Sequence, residues 1–112
     1  MITIYHNPRC RKSRETLTLI EGKGDVVIKE YLKDPPSKEE LHDIVNLLGF
    51  KPQELIRRNE AEFKEHFKGK ELSDSDWLDA MVQFPKLIER PIVIHKGKAV
   101  IGRPPENVLN IL

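Results

Sequence analysis

Short β-branched runs alternate along the chain with longer stretches of helical spacing. Ile2-Thr3-Ile4-Tyr5 alternates apolar and polar residues and predicts a strand, which the turn signal Asn7-Pro8 ends. From Ser13 to Glu21 the pattern is helical, with Leu17, Ile20 and the flanking Thr16 on one side, and Gly22 and Gly24 stop it. Val26-Val27-Ile28 is continuously apolar and predicts a second strand, buried on both faces. Strand, helix and strand together have the length of one βαβ unit, whose right-handed crossover sets the two strands parallel.

Asp34-Pro35-Pro36 breaks the chain. Ser37 with Glu40 reads as a capping box, followed by an apolar stripe at Leu41, Ile44, Val45 and Leu48 that Gly49 closes. Leu55-Ile56 and Phe63 with Phe67 suggest two short helical pieces. Ser73 to Asp76 opens another helix, with Trp77, Leu78, Met81 and Val82 facing inward and Pro85 ending it. The charged stretch from Lys64 to Glu71 reads as solvated surface. Pro91 to His95 predicts a strand, Lys96-Gly97-Lys98 a tight turn, and Ala99 to Ile101 a strand pairing back, with His95 near the surface. Gly102-Arg103-Pro104-Pro105-Glu106 leads into a last helix carrying Val108, Leu109 and Leu112. The order βαβ, helices, ββα predicts an α/β fold. It is a four-stranded mixed sheet flanked by helices, thioredoxin-like, with a helical insertion at about residues 37–88 inside a single domain, 1–112.

Composition narrows what such a fold can do. The 112 residues suffice for one modest core. A mean hydropathy of −0.49 is polar yet foldable. Nineteen Lys and Arg against 18 Asp and Glu leave a formal charge of +1, which argues for neither a nucleic acid nor an anionic membrane as partner. No basic leader with an apolar segment opens the chain, and no apolar run reaches membrane-spanning length, so a cytoplasmic location is expected. The single cysteine excludes an internal disulfide and a thiolate metal cluster, and the four histidines show no ligand spacing, so no metal site is expected.

That cysteine, Cys10, is either a small buried hydrophobe or a reactive thiol. Its setting favours the thiol. It follows a polar turn at the carboxyl end of a strand, where open α/β sheets bind ligands. It also precedes a helix, so the N–H groups of Arg11, Lys12 and Ser13 point back towards it, and Arg9, Arg11, Lys12 and Arg14 flank it. Such surroundings stabilise negative charge on sulfur, or on an anion beside it. Further arginines stand beside structural punctuation: Arg57 after a short helix, Arg90 before a strand, Arg103 between strand and helix. Each could simply face solvent. Converging, they could grip a doubly charged tetrahedral oxyanion with forked hydrogen bonds.

Three separated motifs carry a resemblance. His6-Asn7-Pro8-Arg9-Cys10-Arg11-Lys12-Ser13-Arg14, Glu89-Arg90-Pro91-Ile92-Val93 and Gly102-Arg103-Pro104-Pro105-Glu106 resemble the ArsC-type arsenate reductases that use glutathione and glutaredoxin. The resemblance extends over essentially the whole chain, through Tyr31-Leu32, Pro35-Pro36 and Leu55-Ile56-Arg57. It implies reduction of arsenate to arsenite, with Cys10 as nucleophile and Arg57, Arg90 and Arg103 binding the oxyanion, joined by Arg11 beside the cysteine. It also implies that His6 assists ionisation of the thiol, that Ser13 lies next to it, and that Pro91 is a cis proline at the site. No bound cofactor is implied; glutathione is a co-substrate and glutaredoxin a partner. Arg11-Lys12 depart from the small residues usual after the cysteine, and the chain is of the short branch of the family. Two other readings share the pattern. One is a glutathione-dependent thiol oxidoreductase without arsenate activity. The other is an RNA-polymerase-binding stress regulator, whose redox-switch members carry C-x-x-C where this chain has Cys10 and Ser13.

Overall fold

A computed structural model describes all 112 residues, Met1–Leu112. They form two compact units: Met1–Asp34 with Arg90–Leu112, and Pro35–Glu89.

The first unit holds the sheet. Strands β1 (Ile2–Tyr5), β2 (Val26–Lys29), β3 (Ile92–His95) and β4 (Lys98–Ile101) lie in the order β2-β1-β3-β4. β1 pairs parallel with β2, Ile2 opposite Val26, and antiparallel with β3, Ile2 opposite His95. β3 and β4 form a hairpin with Ile92 opposite Ile101. Its two-residue turn, Lys96-Gly97, has positive φ at both positions (51° and 73°), the conformation whose twist suits paired strands. Helix α1 (Arg11–Ile20) makes the crossover from β1 to β2. Ile20 from α1, Ile2 and Ile4 from β1, Val93 from β3 and Val108 form one buried cluster, with Leu17, Val26 and Val100 packed against it.

Three expectations for this unit need correction. β2 is not buried on both faces: it is an edge strand, Val26 and Val27 are half-buried, and Ile28 is 50% exposed. The last helix is a 3₁₀ segment, Pro105–Ile111. Its three-residue period aligns Pro105, Val108 and Ile111 on one inward edge and leaves Leu109 exposed, where an α-helical stripe would have turned Leu109 inward. His95 is half-buried, because its ring Nδ1 meets the Ile111 carbonyl at 2.7 Å.

The second unit is helical. α2 (Lys38–Leu48) starts where the Ser37 hydroxyl accepts the Glu40 N–H, and buries Leu41, Ile44 and Val45. It ends in a Schellman motif: Gly49 takes the left-handed conformation, its N–H donates to the Asn46 carbonyl, and Phe50 N–H reaches the Val45 carbonyl. After a 3₁₀ turn, Pro52–Leu55, come α3 (Ala61–His66) and α4 (Asp74–Gln83), the latter capped by Ser73 through the Asp76 N–H. α4 buries Trp77, Leu78, Ala80 and Met81, while Val82 is exposed and does not face inward as its spacing predicted. Trp77 stacks on Phe63 with ring centres 6.2 Å apart. A second 3₁₀ turn, Pro85–Leu87, leads to a bridge between Ile56 and Ile88. No helix of the chain is long and apolar enough to cross a membrane.

Candidate active site

Cys10 is the N-cap of α1, in extended backbone conformation. The turn before it is built by Asn7. The Asn7 side-chain oxygen accepts the Arg9 N–H at 3.0 Å, and its carbonyl accepts the Cys10 N–H at 3.0 Å. The helical ladder starts with Arg14 N–H donating to the Cys10 carbonyl. The N–H groups of Arg11, Lys12 and Ser13 therefore lie ahead of the ladder, at the positive end of the helix.

Cys10 is buried, 9% exposed as a residue, and its sulfur caps no backbone N–H. Its hydrogen-bonding neighbour is Arg103, whose Nη1 stands 3.9 Å from Sγ. The same Nη1 donates to the Arg90 carbonyl at 3.3 Å. The Arg90–Pro91 peptide is cis, as is Arg103–Pro104, and Arg90 keeps Nε and Nη1 shielded from solvent. The strand-β3 entrance thus orients the guanidinium that faces the thiol. Gly102 N–H donates to the Pro91 carbonyl at 2.9 Å, and Thr16 of α1 packs against Gly102. A thiol near one end of the chain and a cation near the other are locked together through α1, Gly102 and Pro91.

His6 and Ser13 form the floor of the loop. Both are buried, and His6 Nδ1 lies 2.6 Å from Ser13 Oγ. That hydroxyl also accepts the Asn7 N–H at 3.1 Å, so it serves the ring and the turn. Burial lowers the His6 pKa from its ordinary 6.5; Glu30 pulls it back up, and Arg14 adds a smaller push down. The ring is therefore neutral at neutral pH, and the two residues brace the nucleophile loop.

The remaining basic residues have other engagements. Arg11 pairs with Glu15 at 2.9 Å with its side chain 84% exposed. It is held on the solvent face of α1 by an i,i+4 ion pair. Arg14 donates to the Pro8 carbonyl at 3.0 Å. Arg57 belongs to the second unit. There it is paired with Glu60 and, through Nε, with Glu89 at 3.8 Å, while its N–H donates to the Leu87 carbonyl. Of the two residues that hold the halves of the pair in register, Gly102 heads the Gly102-Arg103-Pro104-Pro105 motif, whereas Thr16 carries no motif; the Arg11–Glu15 spacing does, and an i,i+4 scan finds it.

Compared with known proteins, the chain matches the ArsC family over residues 5–111. The chain belongs to the ArsC family. An Escherichia coli relative, the uncharacterized protein YfgD, is 47% identical over 99% of this chain and 96% of its own. A Haemophilus influenzae relative named arsenate reductase is 44% identical over 99% of this chain and 98% of its own. The structure of an arsenate reductase from Vibrio cholerae superposes with a TM-score of 0.94 at 47% identity, covering 99% of this chain and 97% of that one. The four-stranded mixed sheet flanked by helices is thus the thioredoxin-like fold of ArsC proteins, as the element order predicts.

Proposed function

We propose that this ArsC-family protein reduces arsenate to arsenite through a covalent intermediate on Cys10. The observation that carries the reading is the pairing of Cys10 Sγ with Arg103 Nη1 at the N-terminus of α1. A lone surface cysteine has no use for a guanidinium oriented by a neighbouring carbonyl. A thiolate that must attack a dianion needs that cation, because the approach of two negative charges is otherwise repelled. The names of the relatives supply the substrate.

In the proposed chemistry the Cys10 thiolate attacks As(V), forms an S–As bond and displaces one arsenate oxygen as hydroxide, which leaves as water after taking a proton. Arg103, Arg90 and the free N–H groups of the first turn of α1 balance the charge of the bound oxyanion; Arg57 is assigned to the same task by the family resemblance alone. The chain has no second cysteine to finish the reaction. An external thiolate, glutathione, attacks the Cys10 sulfur. A disulfide bond forms, the S–As electron pair stays on arsenic, and As(V) leaves as As(III). A second thiol, that of glutaredoxin or another glutathione, then attacks the mixed disulfide and returns Cys10 as thiolate. The sum is arsenate and two thiols converted to arsenite, one disulfide and water. His6 and Ser13 act as positioning residues that hold the loop.

The test is arsenite formation from arsenate with glutathione and glutaredoxin. Turnover is expected, with a mixed disulfide of glutathione on Cys10 seen by mass spectrometry. Cys10→Ser should lower turnover to background. A variant still active without the sulfur would refute the proposal, as would a wild-type protein that exchanges glutathione but leaves arsenate untouched.

A further inference from the structure

A cleft of about 220 Å³ opens beside the nucleophile loop, walled by residues 6–9 on one side and by Glu30, Leu32 and Lys33 on the other. It shares its loop with the thiol: Arg9, in its wall, is bonded to Cys10, and the Asn7 carbonyl accepts the Cys10 N–H. Its charged side chains are two cations, Arg9 and Lys33, and one carboxylate, Glu30, with Glu30 and Lys33 loosely paired at 3.7 Å. Between them Leu32, 38% exposed, and Pro8 supply a mostly apolar floor.

We infer that this cleft is the docking site of the thiol peptide that completes the reaction, a small dianionic peptide carrying one free ammonium, as glutathione does. The inference rests on the proposed reaction, which needs an external sulfur because the chain has one cysteine. The complement is by charge count. Two carboxylates meet Arg9 and Lys33, one ammonium meets Glu30, and the methylene stem lies on Leu32. The Glu30–Lys33 pair is exposed and weak, so a ligand presenting both signs can replace it at little cost. An extended tripeptide spans roughly 10 Å, so one held by its charged ends along this wall keeps its central sulfur near the loop that carries Cys10.

The probe is S-methylglutathione, which keeps every charge and cannot react, titrated into the wild-type protein and followed by amide chemical shifts. Shifts are expected at Asn7, Arg9 and residues 30–33, with an affinity that falls as salt rises. Lys33→Glu should weaken binding about fivefold or more, and raise the KM for glutathione in the coupled assay by a similar factor. Circular dichroism of that exposed-site variant confirms its fold. If the shifts cluster elsewhere in the chain, or if Lys33→Glu and Glu30→Lys both bind as wild type does, the cleft is not the docking site, even when arsenate turnover is intact. If the peptide binds here with these charge effects while arsenate is not reduced, the site stands and the arsenate reading fails.

Discussion

Gly102 joins the fold to the site, and replacing it with alanine tests both. Its backbone is not in the left-handed region, so the cost is steric. An added Cβ would stand 2.6 Å from Thr16 Oγ1, 2.9 Å from Pro91 Cγ and 3.1 Å from Thr16 Cγ2. Restoring ordinary contact at 3.4 Å demands about 0.8 Å of movement against Thr16. Thr16 is fully buried and its hydroxyl is tied to the Lys12 carbonyl at 2.8 Å, so it has nowhere to rotate. Overpacking of this kind costs about 2–3 kcal/mol at such a rigid contact. The lost freedom of the unfolded chain returns roughly 0.4–1 kcal/mol. The net is a destabilisation of about 1–2.5 kcal/mol, or about 4–10 °C in Tm for a domain of this length. Urea unfolding followed by circular dichroism reads it. Thr16→Ala removes two of the three offending atoms, so the Gly102→Ala penalty should shrink by at least half in that background. A penalty below roughly 0.5 kcal/mol, or one that is the same in both backgrounds, would refute the claim that Gly102 is a close-approach residue. Because Arg103 follows Gly102 directly, the strained variant should also lose turnover beyond its loss of folded protein.

Two other expectations are simpler. Arg103→Lys keeps the charge but loses the planar guanidinium whose Nη1 sits between Sγ and the Arg90 carbonyl and whose other nitrogens can grip an oxyanion; the KM for the oxyanion should rise by about tenfold, and an unchanged KM would remove Arg103 from the site. His6 has a folded pKa below its unfolded 6.5, so its contribution to stability is complete above that value and is lost as pH falls through it. The urea midpoint should therefore drop between pH 7.5 and pH 5, and drop less in His6→Asn; parallel declines in the two proteins would show that the ring does not titrate as its burial requires.

The frame of the fold was legible because its signals are local. The alternation in β1, the capping serines of α2 and α4, and the Lys96-Gly97 turn each need only a few neighbouring residues to be read. The exposure of Ile28 was not legible, since a run such as Val-Val-Ile has the same composition at the edge of a sheet as at its centre. Nor was the 3₁₀ course of the C-terminal segment: Pro105, Val108 and Ile111 sit at a period of three, but Leu109 and Leu112 offered a competing helical stripe. At the site the thiol and its loop were readable from Asn7-Pro8-Arg9-Cys10, whereas the partnership of Cys10 with Arg103 depends on how β3 lies beside β1. The cleft residues Glu30 and Lys33 carry no motif, because their meaning comes from the loop they face across the end of β1.

The sulfur and the guanidinium that face each other are separated by 93 positions along the chain. A ribosome makes the cysteine 93 residues before its cation, and the strand that orients the cation only shortly before that cation. Until Arg103 is made, the nascent thiol has beside it only the basic residues of its own loop and helix, Arg9, Arg11, Lys12 and Arg14. The pair can form only when the segment that carries Arg103 has emerged and packed beside the loop that carries Cys10.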